Sequence, residues 1–265
     1  MRIIVPIKQV PETNAVKMDE STGTMIREGV EAIINPLDLY AIETAIRLRE
    51  QHGGEVVVIS MGPPKAESAI REAVAMGCDR GVLISDKAFA GSDTWATSYA
   101  LAGAIRKLGG FDLVICGERA TDGDTGQVGP GIASFLDVPV ATYVGKVESL
   151  DGGVCRVHRL VEDGHEVLDV ALPALLTVVK AIADPRLPTL RGKQKARAAE
   201  LPVWAPADMA IDPAKVGLDG SPTRVVKIFK PKVARQCRKL PAGDEQSIAV
   251  AVDELVIFLR ARGLV

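Results

Sequence analysis

Residues 112–136 read DLVICGERATDGDTGQVGPGIASFL. Residues 112–116 are nearly all apolar and predict a strand that is covered on both faces. Residues 125–136 predict a helix, and a loop rich in glycine and aspartate joins the two. A buried strand, a short loop and a helix form the repeating unit of a parallel sheet flanked by helices. This stretch therefore predicts an α/β fold.

The same alternation continues on both sides of the stretch. Further strands are predicted at residues 3–7, 55–60 and 81–85. Helices are predicted at residues 36–51, 64–76 and 93–108. Beyond Pro139, runs separated by Asp/Gly turns predict antiparallel strands at residues 140–144, 147–150, 154–160 and 167–170, then a buried strand at 175–179. The predicted fold class is α/β, a mostly parallel sheet with helices on both faces and an antiparallel hairpin extension.

Proline spacing suggests two parts. Residues 1–183 are predicted to form the α/β domain. Residues 184–265 carry repeated prolines and are predicted to form an extended arm. The arm ends in a helix at residues 247–262, and its Val, Leu and Ile positions form one apolar stripe. Such a helix has to pack either on this domain or on a partner subunit.

Composition excludes several classes of function. The formal net charge is -2, with 32 basic and 34 acidic side chains, and only 4% of residues are aromatic. This balance disfavours a nucleic-acid partner. The apolar runs are too short to span a membrane, and the chain enters a strand directly at Met1, so we expect a cytoplasmic protein. The four cysteines lie far apart and predict neither a zinc site nor a redox pair.

The candidate binding site lies where the parallel strands end. In an open parallel sheet, ligands bind beyond the carboxyl ends of the strands. Four segments occupy that position, residues 6–10, 60–64, 85–97 and 117–131. In the last one, glycines allow close backbone approach, and Asp124 or Thr125 is expected to cap the next helix. Free amides at that helix end favour an anion, but an ordinary capped helix packed through its glycines explains the pattern equally well.

Two other helix starts are candidates with the same ambiguity. Asn35 is expected to cap a helix that has Pro36 at its first position and Asp38 in its first turn. Thr94 and Thr97 lie on one helical face, where two hydroxyls serve either a polar ligand or the helix end. No lysine follows the glycine-rich loop, so it is not a phosphate-transfer loop, and the dinucleotide fingerprint is absent as well. The histidines are scattered and suggest neither a catalytic triad nor a metal set.

Five motifs occur in order along the sequence. Four of them are VPIKQV at residues 5–10, NPLD at 35–38, AVAMGCDR at 73–80 and CGERATDGDTGQVG at 116–129. The fifth runs from Val157 through the acidic turn at residues 162–166 to PALLT at 173–177. With these motifs over a compatible strand pattern, the chain specifically resembles the beta subunits of electron-transfer flavoproteins. The resemblance implies an adenine-nucleotide-binding α/β domain, of the HUP type, and an arm that packs on an alpha subunit.

The resemblance also implies a nucleotide pocket. Its expected residues are Pro6, Asn35, Pro36, Leu37, Asp38, Met61, Gly62, Thr94, Thr97, Ala120, Thr121, Asp122, Gly123, Asp124, Thr125, Gly126, Gln127, Val128, Gly129, Pro130 and Gly131. In one branch of the family the pocket holds structural AMP. In the electron-bifurcating branch it holds FAD, which accepts hydride from NADH. Gly123, where the AMP branch is acidic, and the helix start at residues 93–97 favour FAD and bifurcation.

The resemblance implies partners too. These are an alpha subunit with its own FAD, an acyl-CoA or similar dehydrogenase, and ferredoxin or flavodoxin. Leu190 stands where the family has an exposed leucine that docks into dehydrogenases, beside a basic run at residues 191–197. Two alternatives stay open, an AMP-binding carrier that only shuttles electrons and a nucleotide-sensing α/β domain. Whether the chain is itself an enzyme is open, because the cofactor performs the chemistry.

Overall fold

The structure is a computed structural model that describes residues 1–12, 32–226 and 237–265. The chain divides into two compact units, Met1–Val226 and Lys227–Val265. The strands of the first unit are β1 (Arg2–Ile7), β2 (Gln9–Pro11), β3 (Ala32–Ile34), β4 (Glu55–Met61), β5 (Arg80–Ile84), β6 (Leu113–Gly117), β7 (Val140–Asp151), β8 (Val154–Val161), β9 (Gly164–Ala171), β10 (Ala174–Val178) and β11 (Val203–Trp204). Its helices are α1 (Asp38–His52), α2 (Glu67–Met76), α3 (Thr94–Leu108), α4 (Val128–Leu136), α5 (Leu190–Ala198) and the short α6 (Gly217–Gly220).

The predicted α/β fold class is confirmed. Within the described residues, one sheet has the strand order β11-β5-β4-β1-β6-β10-β7-β8-β9. Pairing is parallel from β11 to β7 and antiparallel from β7 to β9. A separate antiparallel pair, β2 and β3, follows the end of β1. The hairpin extension therefore continues the parallel sheet at one edge, as the sequence predicts.

Two apolar layers cover the parallel strands. Alternate side chains of β1 point to opposite faces, so that Ile3 and Val5 pack in one layer and Ile4 in the other. The first layer is completed by α1 and α2, and the second by α3 and α4. Burial on both faces explains why these strands are continuous apolar runs in the sequence.

Local boundaries differ from the sequence prediction in one hairpin. Residues 140–151 form a single strand, β7, where two strands were predicted. The register of β7 against β8 shifts between Val144 and Lys146 and again between Val147 and Ser149. Bulges of this kind absorb extra residues without ending the strand.

The segment from residue 184 to residue 226 differs more from the predicted arm. It belongs to the first unit, so the boundary between units lies at 226/227, whereas the sequence places it at 183/184. Helix α5 packs on α2, where Arg71 donates to the carbonyls of Ala196 and Ala199. Strand β11 adds to the sheet beside β5. The prolines of this segment limit the length of α5 and β11, but both still have enough apolar surface to pack within the first unit. Composition alone does not reveal this packing.

The second unit is described from residue 237 onward and contains helix α7 (Glu245–Arg260). Asp244 caps it by accepting a hydrogen bond from the amide of Ser247. Its apolar side chains, including Ile248, Leu255 and Phe258, are exposed. The predicted terminal helix is thus confirmed to within about two residues, and within residues 237–265 its apolar side chains remain largely exposed.

Candidate nucleotide-binding site

A cavity of about 360 Å³ opens at the carboxyl edge of the parallel strands. It lies at the ends of β1, β4 and β6 and beside the first turns of α1, α3 and α4. Ligand pockets commonly measure about 300–1,000 Å³. Its walls are mostly apolar, with a few convergent polar groups. The sequence predicts a binding site at this edge, because ligands bind beyond the carboxyl ends of the strands in an open parallel sheet.

Most of the predicted pocket residues line this cavity. They are Pro6, Asp38, Met61, Thr94, Thr97, Ala120, Gly123, Asp124, Thr125, Gly126, Gln127, Val128 and Gly129. The remaining predicted residues lie around it without lining it. They are Asn35, Pro36, Leu37, Gly62, Thr121, Asp122, Pro130 and Gly131.

Asn35 has a different role from the predicted helix cap. The residue before α1 is Leu37, and no side chain caps that helix. The Asn35 side chain instead holds the loop after β6, because its Nδ2 donates to the carbonyl of Arg119 at 2.9 Å and its Oδ1 accepts from the amide of Thr121 at 3.1 Å. The cap prediction was wrong because the loop competes successfully for the same side chain.

The helix after the glycine-rich loop also starts later than predicted. Helix α4 begins at Val128, and no side chain caps it, so the predicted cap by Asp124 or Thr125 was wrong. Asp124 instead closes a tight turn: it has φ of 53°, and its amide donates to the carbonyl of Ala120 at 2.8 Å. The first amides of α4 therefore stay available at the cavity wall, where an anionic group is favoured.

Glycines shape the cavity in two different ways. A Cβ at Gly117 would lie 2.5 Å from Asp38 Oδ1 and 2.8 Å from the carbonyl of Leu37, and one at Gly129 would lie 2.6 Å from Thr177. These positions need glycine because neighbouring elements pack against them. A Cβ at Gly123 would meet nothing within 4 Å. Gly123 therefore borders open space, and its lack of a side chain leaves that space free for a ligand.

Polar groups at the cavity are largely paired. Lys8 Nζ lies 2.7 Å from Asp122 Oδ1, and Arg119 Nε lies 2.6 Å from Asp124 Oδ1. The hydroxyl of Thr94 lies 3.2 Å from the side-chain oxygen of Gln127. Exposed ion pairs of this kind contribute little to stability, so these side chains can be redirected toward a ligand at small cost.

Asp38 is a buried carboxyl in the cavity wall. Burial raises its pKa to about 7, even though the amide of Lys8, the Asn35 side chain and the charge of Lys8 all act to lower it. The Lys8 amide donates to Asp38 Oδ2 at 2.7 Å. Near neutral pH the Asp38 carboxyl therefore exists in both protonation states, and its protonated form can donate a hydrogen bond.

Asp93, and neither Thr94 nor Thr97, caps α3. It accepts from the amide of Ala96 at 3.0 Å and from the hydroxyl of Thr223 at 2.7 Å. Although burial acts to raise the pKa of Asp93, these hydrogen bonds lower it below the usual range. The cap leaves Thr94 and Thr97 on the face of α3 that lines the cavity.

Several lining residues were not predicted individually. They are Ile7, Lys8, Ser92, Asp93, Leu101, Cys116, Gly117, Glu118 and Arg119. All except Leu101 and Cys116 belong to the four strand-end segments that the sequence points to. Taking each segment whole would have found these seven residues.

Other chemistry finds no support within the residues that the structure describes. No group of three or more His, Cys, Asp or Glu side chains is placed to hold a metal ion in that part of the chain. Burial raises the pKa of the Cys116 thiol, so the cysteine at the cavity wall is not an activated nucleophile. Cys78, Cys116 and Cys155 are buried free thiols, and Cys237 is exposed.

Comparison with known proteins identifies the family. The sequence model of the electron transfer flavoprotein domain matches residues 22–209. The electron transfer flavoprotein subunit beta of Thermoanaerobacterium thermosaccharolyticum is 48% identical over 268 residues, which cover 100% of each chain. The chain belongs to the electron transfer flavoprotein family.

Other relatives in the family have specialised names. The caffeyl-CoA reductase-Etf complex subunit CarD of Acetobacterium woodii is 49% identical over 232 residues, covering 87% of this chain and 88% of that protein. Protein FixA of Azorhizobium caulinodans is 46% identical over 238 residues, covering 87% and 85%. Similarity to electron transfer flavoprotein beta subunits along the whole chain implies an alpha-subunit partner.

Leu190, which the family resemblance predicts to dock into dehydrogenases, lies at the start of a helix. Leu190 is the first residue of α5 and is 82% exposed, and Leu187 nearby is 86% exposed. The basic residues Arg191, Lys193 and Arg197 lie on the same helix and are largely solvated.

In the parts of the chain that the structure describes, no helix is long and apolar enough to cross a membrane.

Proposed function

We propose that this chain is the beta subunit of a heterodimeric electron transfer flavoprotein that binds FAD in the cavity at the carboxyl edge of its sheet. The observation that carries this proposal is the open space beside Gly123, continuous with a cavity whose wall includes the hydroxyls of Thr94 and Thr97. An acidic side chain at position 123 would occupy this space and add a charge. Its absence leaves room for a ligand larger than AMP.

The residues present fit a flavin nucleotide. Uncapped amides at the start of α4 and the backbone of Gly126 suit a pyrophosphate. Thr94, Thr97 and Gln127 offer hydrogen-bonding groups to a ring edge or to ribose hydroxyls. Leu101, Met61 and Val128 supply apolar walls that exclude water. Asp38 can hold a proton on its carboxyl near neutral pH, at a point where the wall meets the ligand.

FAD held by these residues would supply hydride acceptance from NADH and one-electron transfer. In the proposed function, one electron reaches a high-potential acceptor through the alpha-subunit FAD and a dehydrogenase, and the other reaches ferredoxin or flavodoxin. A relative named as a subunit of a caffeyl-CoA reductase-Etf complex supports an acyl-CoA-type partner. The exposed Leu190 at the start of a basic helix supports docking of that partner at α5.

An alternative function is AMP binding, because the cavity walls also suit AMP. In this alternative the chain carries structural AMP, and the alpha subunit alone holds the flavin. The favoured proposal and this alternative differ in flavin content, which mutation can test.

Gly123→Asp tests the proposal in the co-expressed heterodimer. We expect the variant to lose most of the beta-site FAD and to keep the alpha-subunit FAD, as measured by absorbance and by extracted nucleotide. Gly110→Asp is a matched control, since Gly110 is exposed and a Cβ there also meets nothing within 4 Å. Unchanged flavin content in Gly123→Asp would contradict the proposal.

A further inference from the structure

Asn35 is fully buried, yet it does not line the cavity. Its side chain engages the loop after β6 at two points, the carbonyl of Arg119 and the amide of Thr121. Its backbone amide donates to the carbonyl of Lys8 at 2.8 Å, and its carbonyl accepts from the amide of Asp38 at 2.9 Å. One residue thus joins the exit of β1, the start of α1 and the loop after β6.

Each of those three segments contributes to the cavity wall. Lys8, Asp38 and Ala120 all line it. The two loop atoms that Asn35 holds belong to the residues on either side of Ala120, so the amide fixes the loop backbone at that position. A carboxamide presents a donating NH₂ group and an accepting oxygen side by side, and an ionised carboxylate presents acceptors only. The side chain therefore matches the carbonyl and the amide that it faces.

The other contacts that hold this loop are weaker anchors. The Lys8–Asp122 and Arg119–Asp124 ion pairs are partly exposed. Such pairs are screened by solvent and contribute little. The Asn35 hydrogen bonds are shielded, and a buried donor or acceptor left without its partner is costly.

We propose that Asn35 is a positioning residue for nucleotide binding, one that preorders the loop of residues 119–124 without touching the ligand. This inference rests on the proposed function of the cavity. A loop that is already ordered loses less conformational entropy when a ligand binds. Loosening the loop should therefore weaken nucleotide affinity while the sheet beneath it stays intact.

Asn35→Asp tests this inference in the heterodimer after its nucleotides have been stripped and the alpha-subunit FAD restored. The ionised carboxylate of the variant keeps an acceptor for the amide of Thr121 but repels the carbonyl of Arg119. We expect beta-site affinity for FAD to fall at least about tenfold at pH 8. Affinity should recover as pH falls, because the protonated carboxyl of the variant can donate again. The charged or titratable groups around position 35 are Asp38 and Lys8, with Asp122 and Arg119 on the loop.

Two further variants and one further measurement keep the test sharp. Asn35→Leu cannot be protonated, so its affinity should stay low at every pH. Gln9→Glu makes the same amide-to-carboxylate change on β2, where Gln9 contacts Lys65 and Ser68 outside the cavity, and should stay within about twofold of wild type. Hydrogen exchange of residues 119–124 should speed up in Asn35→Asp, while that of β1 and β4 should not change.

The outcomes separate this inference from the proposed function. If wild type binds FAD and Asn35→Asp binds it equally well at pH 8, the positioning role is overturned and the function stands. Wild-type binding of AMP without FAD overturns the proposed cofactor, and the same titrations with AMP then decide the role of Asn35. A wild-type cavity that binds neither nucleotide overturns both.

Discussion

The cavity loop after β6 and the segment around Leu190 are held in opposite ways. The loop is anchored from beneath by Asn35, a fully buried side chain. The segment around Leu190 is held by partly exposed ion pairs between Arg186 and both Glu43 and Glu50 of α1. The leucines of this segment remain exposed to solvent. The difference indicates two kinds of recognition. A preordered cavity suits a small ligand, and exposed apolar side chains on an anchored segment suit a protein partner.

Substitutions of buried or tightly packed residues at the cavity should therefore affect stability more than substitutions in the segment around Leu190. Asp38 offers the largest expected effect. Its folded-state pKa, about 7, is raised above the ordinary value of 3.8. Between those values the folded state keeps a proton that the unfolded state has lost, so the stability of wild type falls as pH rises through this window.

Asp38→Asn lacks this titration. The free energy of unfolding of the variant, measured relative to that of wild type, should therefore rise by up to about 4 kcal/mol between about pH 4 and pH 8. Chemical denaturation across the pH range measures the gain. Asp169→Asn serves as the control: the hydrogen bond from Arg156 lowers the pKa of Asp169, but both side chains are exposed, so the stability of this variant should follow that of wild type within error across the same pH range. A pH-independent difference between Asp38→Asn and wild type would contradict the assignment.

Gly117→Ala should have the next largest effect. The added Cβ would lie 2.5 Å from Asp38 Oδ1 and 2.8 Å from the Leu37 backbone, which cannot move aside cheaply. We expect the free energy of unfolding to fall by about 2–3 kcal/mol. Gly123→Ala enters open space and should change it by less than about 0.5 kcal/mol. Equal stabilities for the two variants would mean that β6 and α1 do not pack as described.

Arg186→Gln should cost less because the ion pairs of Arg186 lie nearer the surface. Burial acts to raise the pKa of Glu43, but hydrogen bonds from Arg186 and Arg47 lower it. We expect a loss of about 1–2 kcal/mol at neutral pH. This loss of stability should shrink as pH falls through the folded-state pKa of Glu43, because a protonated Glu43 no longer forms an ion pair with Arg186 in wild type. Denaturation at pH 7 and pH 3 tests both parts.

A matched control for Arg186→Gln lies on the hairpin extension. Arg156 makes a similar two-bond contact with Asp169, at 2.7 and 2.8 Å, but both side chains are exposed. Arg156→Gln should leave stability unchanged within error. Equal losses of stability in the two arginine variants would mean that the burial of Glu43 does not make the ion pairs of Arg186 more stabilising than the exposed pair of Arg156.

Leu190→Ala should have the smallest effect on stability, below about 0.5 kcal/mol, because the side chain is 82% exposed. It should instead slow electron transfer to the partner dehydrogenase with both flavins retained, as measured by stopped-flow absorbance of the complex. Val167→Ala removes an exposed apolar side chain from β9 and serves as the control. Unaltered transfer in Leu190→Ala would remove the docking role.

The sequence predicts the sheet well because each central strand is a short apolar run that is buried on both faces. It predicts the cavity position for the same reason, since the strand ends and helix starts are readable. The partners of Asn35 are not readable, because Arg119 lies 84 positions away and the local pattern favours a helix cap. The packing of residues 184–226 is similarly hidden, since its contacts join short elements to helices far back in the chain.

The proposed function requires that the cavity holds FAD. Extraction and quantification of nucleotides from the co-expressed, purified heterodimer tests it most directly. Two FAD molecules per heterodimer and no AMP is the result that we expect. One FAD and one AMP per heterodimer would contradict FAD binding by this chain and would identify it as the AMP-binding subunit of a simple electron carrier.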